Sequence, residues 1–185
     1  MLKIAVVLSM LVLTSCSQNA QSDSKKTDVK TSNVPADWKT YSRDNYSIKY
    51  PGSWSLKENQ NVALFILFAP IDSAAPSFDA NINLVIQDVK GKNIDLDKYT
   101  QISIDQVKAN TSKDSILLNK KEQDSTGVYQ HLIFSVEYQN TPLMWDQYYR
   151  VIDDKVYLLT LTTLPEQWNK SQKLGEQILS TFKVK

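Results

Sequence analysis

The 185-residue chain carries 21 basic and 20 acidic side chains, with one His, one Cys and four Gly against four Trp, nine Tyr and five Phe. A lone Cys excludes an internal disulfide and a Cys-based zinc site, and a lone His excludes the HExxH motif. Gly52, Gly91, Gly127 and Gly175 stand too far apart for a GxGxxG or P-loop phosphate cradle, and the balanced charge argues against a general nucleic-acid binder.

The N-terminus reads as an export signal. Lys3 supplies a positive start, and Ile4 to Leu13 is apolar except for Ser9. That run is short of the roughly 20 residues needed to span a bilayer, but it fits the apolar region of a secretory signal. It ends in Leu13-Thr14-Ser15-Cys16, which resembles the bacterial lipobox. The resemblance implies that the Cys16 thiol takes a diacylglyceryl group, that residues 1–15 are cut away, and that the new amine receives a fatty acyl chain of the palmitate type. Each buried CH₂ adds about 0.8 kcal/mol, and more than one chain makes a stable anchor. The resemblance also bears on destination: an Asp after the Cys marks inner-membrane retention in the proteobacterial pattern. Ser17 therefore implies an outer-membrane protein facing the periplasm.

Residues 17–36 hold no aromatic side chain and only two large aliphatics, Val29 and Val34. Such a segment cannot bury a core and reads as a disordered tether, with a reach of about 25 Å. The expected organisation is thus a signal peptide over 1–15, lipidated Cys16 with its tether over 16–36, and one domain over 37–185. A domain of that length buries about two-thirds of its unfolded surface.

The domain opens with short strands. Trp38 to Ser42 alternates, and Tyr46, Ile48 and Tyr50 share one face of the next strand before Pro51-Gly52 turns the chain. The chain restarts at Trp54 to Leu56. Val62 to Ala69 is apolar on both faces and reads as a central strand covered on both sides. Pro70 to Ser77 is a loop, and Ala80 to Val89 is a strand with Ile82, Leu84 and Ile86 on one side. Asp95 to Asn110 turns helical, with Leu96, Tyr99, Ile102 or Ser103, and Val107 on one face and Asp95 as N-cap. Ile116 to Lys121 and Val128 to Tyr138 are strands joined through Asp124-Ser125-Thr126-Gly127. Met144 to Ile152 and Val156 to Thr163 form a hairpin through Asp153-Asp154-Lys155. Pro165 opens a last helix with an apolar stripe of Trp168, Leu174 or Gly175, Ile178 and Phe182. Hairpin-length connections imply an antiparallel sheet, and two amphipathic helices need its faces. The fold class is α+β, an antiparallel sheet flanked by helices.

The residues Trp38, Tyr41, Tyr46, Tyr50-Pro51 and Trp54 resemble the opening hairpin of the PsbP-like group, which runs W-x-x-Y then Y-x-h-x-Y-P-x-x-W. The end is similar too: Gln147-Tyr148-Tyr149, Lys155 to Tyr157, Thr160 to Thr163 and a helix closing on Phe182. The group shares its fold with the Mog protein and the DcrB lipoproteins. The resemblance implies a non-enzymatic assembly or accessory module that needs no cofactor or metal.

Candidate sites are few. His131 shares a strand face with Tyr129, Ser135 and Glu137. A His131–Ser135 dyad fails because four residues of strand separate them by about 13 Å. His131 therefore reads as a satisfied surface or sheet histidine. The carboxylates Asp72, Asp79, Asp88, Asp95, Asp97, Asp146, Asp153 and Asp154 fit capping and turn roles, with glycoside hydrolysis as the alternative if two lie about 5–10 Å apart. Asp153-Asp154 lacks the spaced oxygens of a calcium loop. Two aromatic sets, Trp38 to Trp54 and Trp145, Tyr148, Tyr149 and Tyr157, serve either as core packing or as a binding surface. Met144, Asp146, Tyr148 and Arg150 share one strand face and form the candidate docking patch; the Pro70–Ser77 loop is a second place for a partner.

Together these features predict a monomeric, lipid-anchored envelope lipoprotein with a non-catalytic binding domain. Its expected partners are the bilayer, through acylated Cys16, and an envelope protein. The alternatives are an envelope hydrolase using carboxylates near His131, and a small-ligand-binding protein.

Overall fold

The computed structural model describes residues 34–71, 78–112 and 115–185. The signal segment, Cys16, most of the tether, Asp72 and most of the Pro70–Ser77 loop lie outside the described residues.

In chain order the elements are β1 (Trp38–Ser42), β2 (Tyr46–Pro51), β3 (Ser55–Gln60), β4 (Ala63–Phe68), β5 (Asn81–Asp88), α1 (Leu96–Asn110), β6 (Ile116–Asp124), β7 (Gly127–Tyr138), β8 (Thr141–Ile152), β9 (Lys155–Thr163), a 3₁₀ turn (Pro165–Gln167), α2 (Trp168–Leu179) and β10 (Lys183–Val184). Antiparallel pairing builds a seven-stranded sheet ordered β3-β4-β5-β9-β8-β7-β6 and a three-stranded sheet ordered β1-β2-β10. The α+β class read from the sequence is the one observed.

The register follows from turns that few residues tolerate. Gln139 and Asn140 between β7 and β8, and Asp153 and Asp154 between β8 and β9, all have positive φ, from 49° to 63°. Two such residues in succession make the tight turn whose twist matches antiparallel strands, and Asn and Asp enter that region at low cost. Asp153 and Asp154 thus have a backbone role.

Each face of the large sheet carries its own core. On one face Tyr41, Tyr46, Ile48, Tyr50 and Trp54 pack on Phe65, Leu67, Ile82, Leu84, Tyr157, Leu159 and Leu161, and Ile178, Leu179 and Phe182 close the side. Tyr41 meets the Phe65 ring edge-on at 5.3 Å, and Tyr46 lies 6.0 Å from Phe182. Burying each such side chain contributes roughly 1.5–3 kcal/mol. The first aromatic set is therefore core, with Trp38 at its margin. The opposite face packs Leu132, Phe134, Leu143, Trp145, Tyr149 and Leu158 against Tyr99, Ile104 and Val107 of α1. Asp95 caps α1 as its position predicts, with Oδ1 accepting from the Lys98 N–H at 2.8 Å.

Three expectations change. Doubly apolar β4 lies next to the sheet edge; the middle position belongs to β9, buried from Val156 through Thr163. Both strands are apolar because both faces are covered, and coverage does not require the central position. The inner face of α1 takes Ser103 and Ile104, and Ser103 is tolerated because its hydroxyl donates to the Tyr99 carbonyl at 2.9 Å. The chain also continues past α2 into β10, which pairs with β2. Two residues are too few to show a period.

Gly175 explains how α2 lies so close to the sheet. A Cβ there would fall 2.4 Å from Cδ2 of Leu161, with Cγ and Cδ1 within 3.4 Å. Leu161 is fully buried, so rotating one methyl away does not relieve the crowding. Gly175→Ala gains helix propensity but must push α2 off β9. We expect a net loss of about 1–3 kcal/mol in urea unfolding, and unchanged or raised stability would refute this packing.

Candidate functional site

On the α2 side of the large sheet, β7 and β8 carry a continuous polar and aromatic row. Strand alternation sends Met144, Asp146, Tyr148 and Arg150 to the same face, as expected, and places His131 directly opposite Tyr148. The His131 ring lies 4.3 Å from that of Tyr148, which stacks on Tyr129 at 5.4 Å with 16° between planes. The Arg150 guanidinium sits over the Tyr129 ring at 5.4 Å.

Each end of the row is tied by charge. Arg150 Nη2 donates to Asp124 Oδ2 at 2.9 Å, and Nη1 donates to Thr126 Oγ1. The Tyr129 hydroxyl donates to Glu122 at 2.7 Å, and Lys120 pairs with Glu122 at 2.7 Å. At the other end His131 Nε2 meets Asp146 Oδ1 at 2.8 Å. Glu176, reaching from α2, completes a trio whose ligand atoms lie within 4.8 Å of one another. Gln172 donates to Glu176 at 2.9 Å.

The expected docking patch differs in exposure. Asp146 is 0% exposed and Met144 and Arg150 are 7% exposed, so of the four only Tyr148 reaches the surface, and only in part. The reason is lateral cover: β8 runs between β7 and β9, and side chains of β7 and α2 close over it. Arg150 is spent on Asp124, and Asp146 on His131. Within the second aromatic set, Trp145 and Tyr149 belong to the α1-side core and Tyr157 to the other.

Burial dominates the electrostatics. It pushes the Asp146 carboxyl above the usual range, and the His131 contact offsets only part of this. It also raises Tyr148, helped by the negative charge of Asp146 and Glu176, and raises Tyr129, helped by Glu122. Asp124 and Glu122 behave differently. Burial pushes both up, but hydrogen bonds from Arg150 and Thr126 hold Asp124 below its ordinary value, and those from Lys120 and Tyr129 do the same for Glu122. Asp146 Oδ2 has no hydrogen-bond partner among the described residues. His, Asp and Glu are ligand types for divalent cations. Here His131 Nε2 and Asp146 Oδ1 already face each other at hydrogen-bond distance, so the pair holds a proton between them.

Of the surface and sheet settings open to His131, the structure gives the buried sheet one, and the satisfying group is Asp146 of the neighbouring strand. The Gln139-Asn140 turn sets the register that brings them together. Glu176 carries no sequence signal; it joins only through the docking of α2.

The depressed carboxyl of Asp124 fixes the sign of a pH effect. Its contribution is complete above the ordinary carboxyl value and is lost as pH falls from there through its folded-state value. Asp124→Asn should cost about 1–3 kcal/mol at neutral pH and flatten the acid limb of the stability profile. A wild-type acid limb in the variant would remove Asp124 from that role.

No helix among the described residues is long and apolar enough to cross a membrane. Solved structures share the fold. The solution structure of cyanobacterial PsbP (CyanoP) from Synechocystis sp. PCC 6803 superposes with a TM-score of 0.61 at 14% identity, covering 85% of this chain and 98% of that one. LpqN of Mycobacterium tuberculosis, described as involved in cell envelope biogenesis, gives 0.58 at 14% identity over 80% of this chain and 91% of its own. PA94 of Pseudomonas aeruginosa, of unknown function, gives 0.56 at 15% over 78% and 94%. No curated protein sequence gives a significant match. The PsbP family model matches residues 36–184, and the chain belongs to the PsbP family.

Proposed function

We propose that this protein is a bacterial lipoprotein, anchored through acylated Cys16 to the periplasmic face of the outer membrane, whose PsbP domain is a non-catalytic docking module for an envelope protein. The carrying observation is the contrast along the β7–β8 row. Among the described residues His131 with Asp146 and Glu176 is the group that brings an imidazole and two carboxyls together, and its central carboxyl is fully buried. His131 is nearly as buried and its Nε2 is engaged by Asp146, so neither residue of the pair is open to a substrate bond, which disfavours the hydrolase alternative. Beside it, Tyr129 and Tyr148 are partly exposed, stacked, and held by Arg150 and Glu122. Pre-ordered tyrosines give contact area at low entropic cost, which is the usual anchor of a protein interface. The order of Lys3, apolar run and Ser15-Cys16 supports the anchor, and the envelope role of LpqN is in keeping with it.

Crosslinking in intact cells tests both parts. Wild type is expected in the membrane fraction with a crosslinked envelope partner. Cys16→Ala should leave the membrane fraction. Tyr148→Ala should stay membrane-bound and lose the partner by about tenfold or more, as for a hot-spot residue. Cys16→Ala remaining in membranes would refute the anchor, and identical crosslinks from Tyr148→Ala would refute the docking face.

A further inference from the structure

The other face of the large sheet holds a cleft of about 290 Å³ beside α1, over β4, β5, β9 and β8. Its floor is polar but uncharged: Asn81, Asn83, Gln147, Thr160 and Thr162. Its walls are apolar, with Ile66, Phe68, Phe78 and Trp145 among them. Asp79 is the only ionisable lining residue among the described ones, and its backbone carbonyl accepts from Asn81 Nδ2 at 3.0 Å.

Two lining residues carry unmet hydrogen-bonding groups. Trp145 Nε1 and Thr162 Oγ1 are buried and have no partner among the described residues. Trp145 and Thr162 are direct cross-strand partners on β8 and β9, so the two residues that carry the unmet groups are neighbours on the cleft face of the sheet. Buried polar groups are ordinarily satisfied, and a neighbouring pair left open in a cleft calls for an external partner. The indole N–H needs an acceptor, and the threonine hydroxyl can give or take. Ligand hydroxyls can supply both kinds of partner. Neutral amides and hydroxyls would meet further hydroxyls, and the aromatic walls would meet C–H surface. An anion would be desolvated here with no opposite charge to receive it, and a cation would meet only the partly exposed carboxylate of Asp79, where solvent weakens the attraction. The space is that of about ten waters at about 30 Å³ each, the size of a small polyol or one sugar ring.

We infer that this cleft binds a neutral, polyhydroxylated ligand of single-sugar size, held by Trp145, Thr162 and Asn83. It lies on the sheet face opposite the tyrosine row and does not depend on the docking role proposed above.

The test follows the indole N–H resonances of the full-length protein in a phosphocholine detergent by NMR, with the Trp145 signal identified through Trp145→Phe. The probes are glucose, N-acetylglucosamine, glucuronate and glucosamine. The expected result is a saturable shift of the Trp145 signal with a neutral sugar, with Kd in the range of about 1–10 mM, and at least about tenfold weaker binding of the charged sugars. Thr162→Val and Asn83→Leu should each weaken neutral-sugar binding by about fivefold or more. Thr162→Val also removes an unmet hydroxyl, so its Tm should not fall, which separates lost binding from lost folding. No Trp145 shift with either neutral sugar, equal binding of charged sugars, or unchanged affinity in both variants would overturn the inference.

Discussion

Everything in this domain depends on the large sheet being covered on both faces. The strand that feels this most is β9, lodged between β5 and β8 and buried from Val156 through Thr163. Its odd residues Tyr157, Leu159 and Leu161 enter one core, and its even residues Val156 and Leu158 enter the other. Polar residues on the adjoining strands then have no water to turn to, so they pair within the fold or remain unmet. Gln147 reaches Thr160, His131 reaches Asp146, and Arg150 reaches Asp124. Among the described residues Asp146 Oδ2 stays unmet within the row, and Trp145 Nε1 and Thr162 Oγ1 stay unmet on residues that line the cleft.

That constraint also governs what could be read from the sequence. Strands whose faces differ, such as β2 with Tyr46, Ile48 and Tyr50, were legible because period-two alternation survives when one side is wet. The tight turns were legible through Asp153-Asp154, and Asp95 through its place ahead of an apolar period. Sheet order was not, since β4 and β9 look alike when both are covered twice. The site was half legible. Alternation put Met144, Asp146, Tyr148 and Arg150 on one face, yet their burial depends on α2 and β7 lying over them. Glu176 was beyond sequence reasoning because only tertiary docking brings a helix residue to a strand pair.

A carboxyl and an imidazole in contact invite a catalytic reading, and here burial argues the other way. An acid or base needs contact with substrate as well as an adjusted proton affinity. Asp146 has an adjusted proton affinity, and its complete burial is what the proposed non-catalytic role rests on. The same low-dielectric surroundings make the row rigid: His131, Tyr148, Tyr129 and Arg150 form one continuous stack, braced by acids at both ends. Ordered, partly exposed tyrosines are what the proposed docking role asks for.

The most direct test is the pH titration of the Asp146 side-chain carbon, followed by ¹³C NMR in the full-length protein. Because burial outweighs the His131 contact, which by itself favours the carboxylate, the carboxyl is expected to titrate above the ordinary range for aspartate. An Asp146 that titrates at or below that range would show the His131 contact outweighing burial, and would contradict the account in which burial dominates the electrostatics of the row.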